Sequence, residues 1–218
     1  MTTAVVVSGG GRYADPWHPF AETSAALADI VARQGVDVRV DDEPDRAFAS
    51  LEGADLLVVN VGRPAQPDPE ADAGTRASLH AHLASGRPLL VAHVSVTSLT
   101  SVPEWESVVG GTWVDGTTMH PDLDRTTITV HPDRSPLVAG IGDFAVEDER
   151  YSFLRVDPRV VPLLSHEHDG VRHPLFWTWR WGSARVAYDA LGHDPRSYES
   201  AEHREILGRA VRWLLADR

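Results

Sequence analysis

The chain has 218 residues, of which 42% are hydrophobic and 24% charged, enough apolar material for a sizeable core. Its formal net charge of -12 argues against a nucleic-acid partner, because an acidic surface repels phosphate. It contains no cysteine, which excludes disulfides, thiolate nucleophiles and cysteine-ligated metals, and all 20 of its Lys and Arg residues are arginine, which excludes lysine Schiff bases.

The opening residues Met1–Gly10 carry neither the basic region nor the long apolar region of a signal peptide. The apolar runs are too short to span a bilayer. A cytoplasmic protein without a membrane partner is therefore expected.

Ala4–Val7 is β-branched and reads as a buried strand running into the turn Ser8-Gly9-Gly10-Gly11. Apolar residues at Phe20, Leu27, Ile30 and Val31 give helical spacing, with Pro19 at the first helical position and Gly35 closing. Val36–Val40 and Asp55–Asn60 follow as strands. The proline-rich, acidic stretch Arg63–Asp72 reads as a loop. Thr75–Ser85 reads as a helix closed by Gly86, and Pro88–His93 as a fourth, buried strand. This alternation predicts a parallel sheet covered by helices. In the second half, Thr126–Val130, Val160–Leu164, Pro174–Trp179 and Ala184–Ala190 read as strands, with Asp169-Gly170 as a hairpin turn. Ser200 is an N-cap for a last helix whose apolar face is Ile206, Leu207, Ala210, Trp213 and Leu214. No linker divides the chain, so one domain over residues 1–218 is expected.

Several segments form an ordered set. They are Gly9-Gly10-Gly11 through His18-Pro19-Phe20, Gly86–His93, and Gly110-Gly111 through His120. His131-Pro132, Ser135-Pro136-Leu137, Asp148-Glu149-Arg150-Tyr151, Pro174–Trp179, Gly182–Val186 and Leu191-Gly192-His193-Asp194 continue it. In this order the chain resembles the ThuA-like (trehalose-utilisation) family, part of the class I glutamine amidotransferase-like fold. The resemblance implies an α/β, flavodoxin-like, mostly parallel sheet flanked by helices, with extra strands in the C-terminal half. It also implies action on a carbohydrate or keto-sugar derivative. The sequence departs from the family pattern at Arg150, where an aromatic is usual, at Ser85-Gly86-Arg87-Pro88, which lacks a further glycine, and at His93-Val94-Ser95. Amidotransferases of this fold keep a cysteine on the turn after a central strand. His93 stands at that turn here, so glutaminase chemistry is not expected.

Ligands of open parallel sheets bind beyond the carboxyl ends of the strands. His93 and His193 follow two such strands, and His18 follows the first glycine turn. Three neutral nitrogen donors with an open position suit a divalent transition metal such as zinc. The same histidines without a metal suit proton transfer and sugar binding. Adjacent strand residues face opposite ways, so one of Asp148 and Glu149 is expected to reach the site; the resemblance favours Glu149 together with Tyr151, which share a face and join His93 and His193 as catalytic candidates. His120, Asp148, Asp194 and Trp177 are candidate pocket residues, Trp177 because alternate tryptophans 177, 179 and 181 share a face that suits either a sugar ring or the core. His131-Pro132 reads as a structural turn, and His166-Glu167-His168 as solvated residues beside a hairpin tip. His80 and His82 are too poorly aligned on their helix to act as a pair. Three readings remain open: an isomerase or hydrolase acting on a sugar-like small molecule, a non-catalytic small-molecule-binding module, and a homodimeric or larger homo-oligomeric subunit.

Overall fold

The computed structural model describes residues 1–216. The elements in chain order are β1 (Thr3–Ser8), α1 (Phe20–Ala32), β2 (Asp37–Asp41), α2 (Pro44–Ala49), β3 (Leu56–Asn60), α3 (Pro69–Ala84), β4 (Leu89–Ala92), α4 (Trp105–Val109) and β5 (Gly111–Thr112). They continue with β6 (Asp124–Val130), β7 (Phe144–Asp148), β8 (Arg155–Val156), β9 (Pro162–His168), β10 (Val171–Trp181), β11 (Ala184–Asp189) and α5 (Ala201–Leu215).

Nine strands form one sheet in the order β2-β1-β3-β4-β11-β10-β9-β6-β7. From β2 to β11 the neighbours are parallel, and from β11 to β7 they are antiparallel. β5 and β8 form a small separate pair. Every residue of β3 and β4 is buried, as continuous apolar strands covered by helices on both faces require. The extra strands of the second half are the antiparallel extension. Its hairpin turn falls at Asp169-Gly170, both at positive φ (52° and 71°), which matches the twist of the flanking strands.

Several stretches differ from the sequence reading. α3 begins at Pro69 rather than Thr75, so the second half of the Arg63–Asp72 loop is helical. Asp68 caps it by accepting the Ala71 N–H at 3.1 Å, Pro69 occupies the first turn, and Glu70 and Asp72 favour the helix dipole. The link between β2 and β3 holds the short helix α2, which also starts on a proline. Pro19 is the N-cap of α1 rather than its first residue.

β1, β4 and β11 all end on the same edge of the sheet. The chain leaves β1 towards β2 on one side and later crosses to β3 and β4 on the other. This reversal opens a crevice at the strand ends.

Candidate active site

Each of three strand-end loops delivers a histidine to this crevice. His93 follows β4 directly, at φ 46°, and begins the one-turn helix His93–Thr97. A non-glycine residue in the left-handed region is strained and persists only where its surroundings hold it. Here the Tyr188 hydroxyl donates to the His93 carbonyl at 3.1 Å, and His93 Nδ1–H donates to the Ala190 carbonyl at 2.7 Å. That bond fixes the tautomer, so Nε2 keeps its lone pair and accepts from the Tyr151 hydroxyl at 3.0 Å.

His18 lies in the turn before α1. Its Nδ1 donates to both oxygens of Asp15 at 2.8 Å. Asp15 also accepts the backbone N–H groups of Trp17 and His18 at 3.0 and 2.9 Å, so one carboxylate shapes the turn and aims the ring. His193 follows β11 in the loop Ala190–Asp194. Gly192 is required there twice over. Its φ is 111°, and a Cβ would lie 2.4 Å from the Tyr198 hydroxyl oxygen.

The rings converge. Centroids are 4.8 Å apart for His18 and His193, 5.2 Å for His18 and His93, and 5.6 Å for His93 and His193. Glu149, just beyond β7, completes the group. One of its oxygens lies 3.2 Å from His193 Nδ1 and 3.6 Å from His93 Nε2, the other 3.6 Å from His120 Nδ1. The contact with His193 is close but lacks hydrogen-bond alignment, which leaves His193 Nδ1 buried without a hydrogen-bond partner, and His18 Nε2 is likewise buried without one.

The electrostatics follow from this packing. Burial opposes the charge on Glu149, but His193 and His93 outweigh it and hold the carboxyl well below its usual range. Burial likewise opposes the charge on His193, and Glu149 outweighs it, raising the His193 pKa. Burial prevails at His18, whose pKa is lowered despite Asp15, and at Tyr151, whose hydroxyl is pushed far up and stays protonated.

One donor atom each from His18, His93, Glu149 and His193 lie within 4.8 Å of one another. Tetrahedral bonds of about 2.1 Å place ligands about 3.4 Å apart, so side-chain rotations of about an ångström close the set. The donors fit a borderline metal such as zinc. Two of the nitrogens have no other partner, and the far nitrogens of His18 and His93 are fixed by a carboxylate and a backbone carbonyl, the usual outer support of a ligating histidine.

A cavity of about 610 Å³ opens over this group, within the range of small-molecule sites. Tyr151, His120, Glu149, His18 and His193 line it. The other residues proposed from the sequence do not. Asp148 lies behind the site, 1% exposed, and accepts the backbone N–H groups of Gly192 and His193. Asp194 caps the one-turn helix Pro195–Glu199 and pairs with Arg196. Trp177 is buried in the core, where its indole N–H donates to the Val109 carbonyl at 2.8 Å and its ring packs on Tyr188. It is therefore corrected from a pocket residue to a core residue. His166 is also buried rather than solvated, because β9 turns it onto His173 of β10 and into contact with Ser152.

Sequence reasoning missed Asp15, Trp17, Arg63, Val94, Thr97, Trp113 and Asp115, which also line the cavity. Only Asp15 had a readable signal, a carboxylate three residues before a candidate histidine.

Fold and site together define an α/β protein of the glutamine amidotransferase-like architecture that carries a histidine–carboxylate centre at its strand ends. The sequence matches the ThuA family, described as trehalose utilisation, over residues 4–214, and the chain belongs to that family. A ThuA-like protein from Parabacteroides merdae shares the fold with a TM-score of 0.81 at 17% identity, over 99% of this chain and 90% of that one. A second, from Bacteroides uniformis, gives a TM-score of 0.76 at 14% identity, over 99% and 92%. A glutamine amidotransferase from Thermotoga maritima gives 0.59 at 11% identity, over 99% of both chains. No curated protein matches the sequence. No helix among the described residues is long and apolar enough to cross a membrane.

Proposed function

We propose that this ThuA-family protein is an enzyme acting on a carbohydrate or keto-sugar derivative by proton transfer, as an isomerase or hydrolase, at a centre that holds a divalent transition metal such as zinc. The observation that carries this reading is the convergence of His18, His93, His193 and Glu149, with two buried ring nitrogens left without a hydrogen-bond partner.

His18 Nε2, His93 Nε2 and His193 Nδ1 are the metal-facing donors. When bound, the metal supplies Lewis-acid polarisation of a substrate carbonyl or hydroxyl oxygen. Glu149 reaches into the group, 3.2 Å from His193 Nδ1 and 3.6 Å from His93 Nε2, and lines the cavity, so it is placed to accept a proton from a bound substrate. The Tyr151 hydroxyl stays protonated and can donate to an oxygen where charge develops. The cavity wall beside them is aromatic, with Trp113 edge-on to Tyr151 at 5.0 Å, a surface suited to the C–H face of a sugar ring. With His93 on the turn and no cysteine in the chain, the reading includes no glutaminase activity.

The test has two readouts. Protein purified without chelators should contain about one equivalent of transition metal. Stripped protein should rebind zinc at least about a hundredfold more tightly than His18→Ala or His193→Ala. Equal zinc affinity in all three removes the metal assignment. His93→Ala and His193→Ala should also abolish turnover of sugar substrates with unchanged circular dichroism. Full activity in both variants shows that the site lies elsewhere.

A further inference from the structure

The three metal-facing nitrogens of the centre are not equivalent. His18 Nε2 and His193 Nδ1 have no hydrogen-bond partner, whereas His93 Nε2 accepts from the Tyr151 hydroxyl at 3.0 Å. His93 cannot serve both partners by exchanging its nitrogens. Its Nδ1 lies 2.7 Å from the Ala190 carbonyl, which can only accept, so Nδ1 carries the ring hydrogen and Nε2 the lone pair. That lone pair serves one partner at a time.

The Tyr151 ring is held where it is. It is buried, it stacks on the His93 ring with centroids 4.4 Å apart, and Trp113 meets it edge-on at 5.0 Å. The next residue, Ser152, exchanges both backbone hydrogen bonds with Met119, at 2.7 and 3.1 Å, which ties this segment down. The freedom that remains is rotation of the hydroxyl hydrogen about its C–O bond. Tyr151 forms part of the cavity wall, so a hydrogen turned away from His93 is available to an acceptor inside the cavity.

This one contact has opposite consequences in the two states of the centre. While Nε2 has no other ligand, the hydroxyl satisfies a buried acceptor that would otherwise be a third orphan beside His18 Nε2 and His193 Nδ1. Once Nε2 is engaged, the hydroxyl loses its acceptor in an enclosed place, and an unsatisfied buried donor is costly. A substrate oxygen in the cavity removes that cost.

We infer that Tyr151 is a built-in competitor for the metal position on His93: its hydroxyl caps Nε2 until that atom is taken by a metal, and then turns to the cavity as a hydrogen-bond donor for a substrate oxygen. The donor is thus withheld until the centre is loaded. By reciprocity, a ligand that accepts from Tyr151 tightens metal binding. This rests on the metal reading above and adds a coupling between loading of the centre and readiness of its donor.

Calorimetric titration of the intact, metal-stripped protein with zinc tests it through the sign of one substitution. Tyr151→Phe keeps the ring stack and removes the competitor, so zinc should bind about three- to tenfold more tightly than to the wild type, the worth of one neutral hydrogen bond. Tyr188→Phe removes an equally buried hydroxyl from the His93 carbonyl rather than from its ring, and should not tighten binding. Zinc should also produce a tyrosine difference band in the near-ultraviolet absorbance of the wild type that Tyr151→Phe lacks. Zinc affinity in Tyr151→Phe that is unchanged or weaker overturns the competition, the weaker result making Tyr151 a ligand instead. Equal tightening in Tyr188→Phe, or a wild-type spectrum that zinc binding leaves unchanged, overturns it as well. If the wild type binds no zinc, the metal reading itself fails, and the coupling with it.

Discussion

Asp148 shows how a residue can serve the site without facing it. One carboxylate oxygen accepts the N–H groups of Glu149 at 2.8 Å and His193 at 3.1 Å, and the other accepts the Gly192 N–H at 2.7 Å. It therefore joins the loop that carries Glu149 to the loop that carries His193, although these follow strands β7 and β11, at the edge and the middle of the sheet. Asp148→Asn replaces one acceptor oxygen with an amide NH2 that faces a backbone N–H. A buried donor left unsatisfied costs about 1–3 kcal/mol, so Tm should fall by several degrees. Because Glu149 and His193 lose their common anchor, zinc affinity should fall by about 10–100-fold. An unchanged Tm together with unchanged zinc affinity in calorimetric titration would show that the anchor is not used. The strand-end histidines were legible in the sequence because a buried strand followed by a turn fixes where its next residue points. Arg63 and Asp115 were not legible, and Asp15 was legible only as a carboxylate three residues before His18. Polar residues in loops follow no period, and their partners are set by the tertiary fold.

At the scale of elements, the turn after β1 places His18, and two neighbouring glycines there serve for different reasons. Gly10 has an extended backbone that any residue can adopt, but a Cβ on it would lie 2.0 Å from the carbonyl oxygen of Asp42. Gly11 has φ 53° and open space around it. Gly11→Ala should therefore cost only left-handed strain of about 1–2 kcal/mol. Gly10→Ala forces a backbone carbonyl in the β2–α2 connection to move and should cost about 4 kcal/mol or more. Thermal melting and soluble yield compare the two, and equal losses would contradict the steric account. The parallel half was readable because Leu56–Asn60 and Leu89–Ala92 are continuous apolar runs, which only a sheet covered on both faces explains. The start of α3 was misread because the prolines around Asp68 were weighed as loop formers, whereas Asp at the cap with Pro in the first turn is a helix start. The tryptophan stripe on β10 was misassigned at Trp177. Period-two alternation says which residues share a face, and α4 decides which of them it covers.

Across the whole molecule, buried histidines limit stability from both sides of neutral pH. Burial lowers the pKa of His166 from 6.5 to about 4, and burial also lowers that of His173 beside it. In the unfolded chain such a histidine takes up its proton near its ordinary pKa, before the folded one does. The stability it contributes is therefore present above 6.5 and is lost as pH falls towards about 4. His203 behaves in the opposite sense. Burial opposes its charge, but Asp189, 2.7 Å away and equally enclosed, outweighs burial and raises the pKa above 6.5. The folded state holds that proton more tightly than the unfolded chain does. The stability is complete below 6.5 and is lost as pH rises through the raised value. Each group changes the slope by at most about 1.4 kcal/mol per pH unit inside its own window. Thermal melts from pH 4 to pH 9 should therefore show a maximum near 6.5, with His166→Gln flattening the acid side and His203→Gln the alkaline side. His203→Gln should also lower Tm throughout, because it leaves Asp189 buried without its cation. The slopes separate the two roles. A His203→Gln variant that melts lower yet keeps the wild-type alkaline slope would show that the pair stabilises the fold without binding a proton on folding.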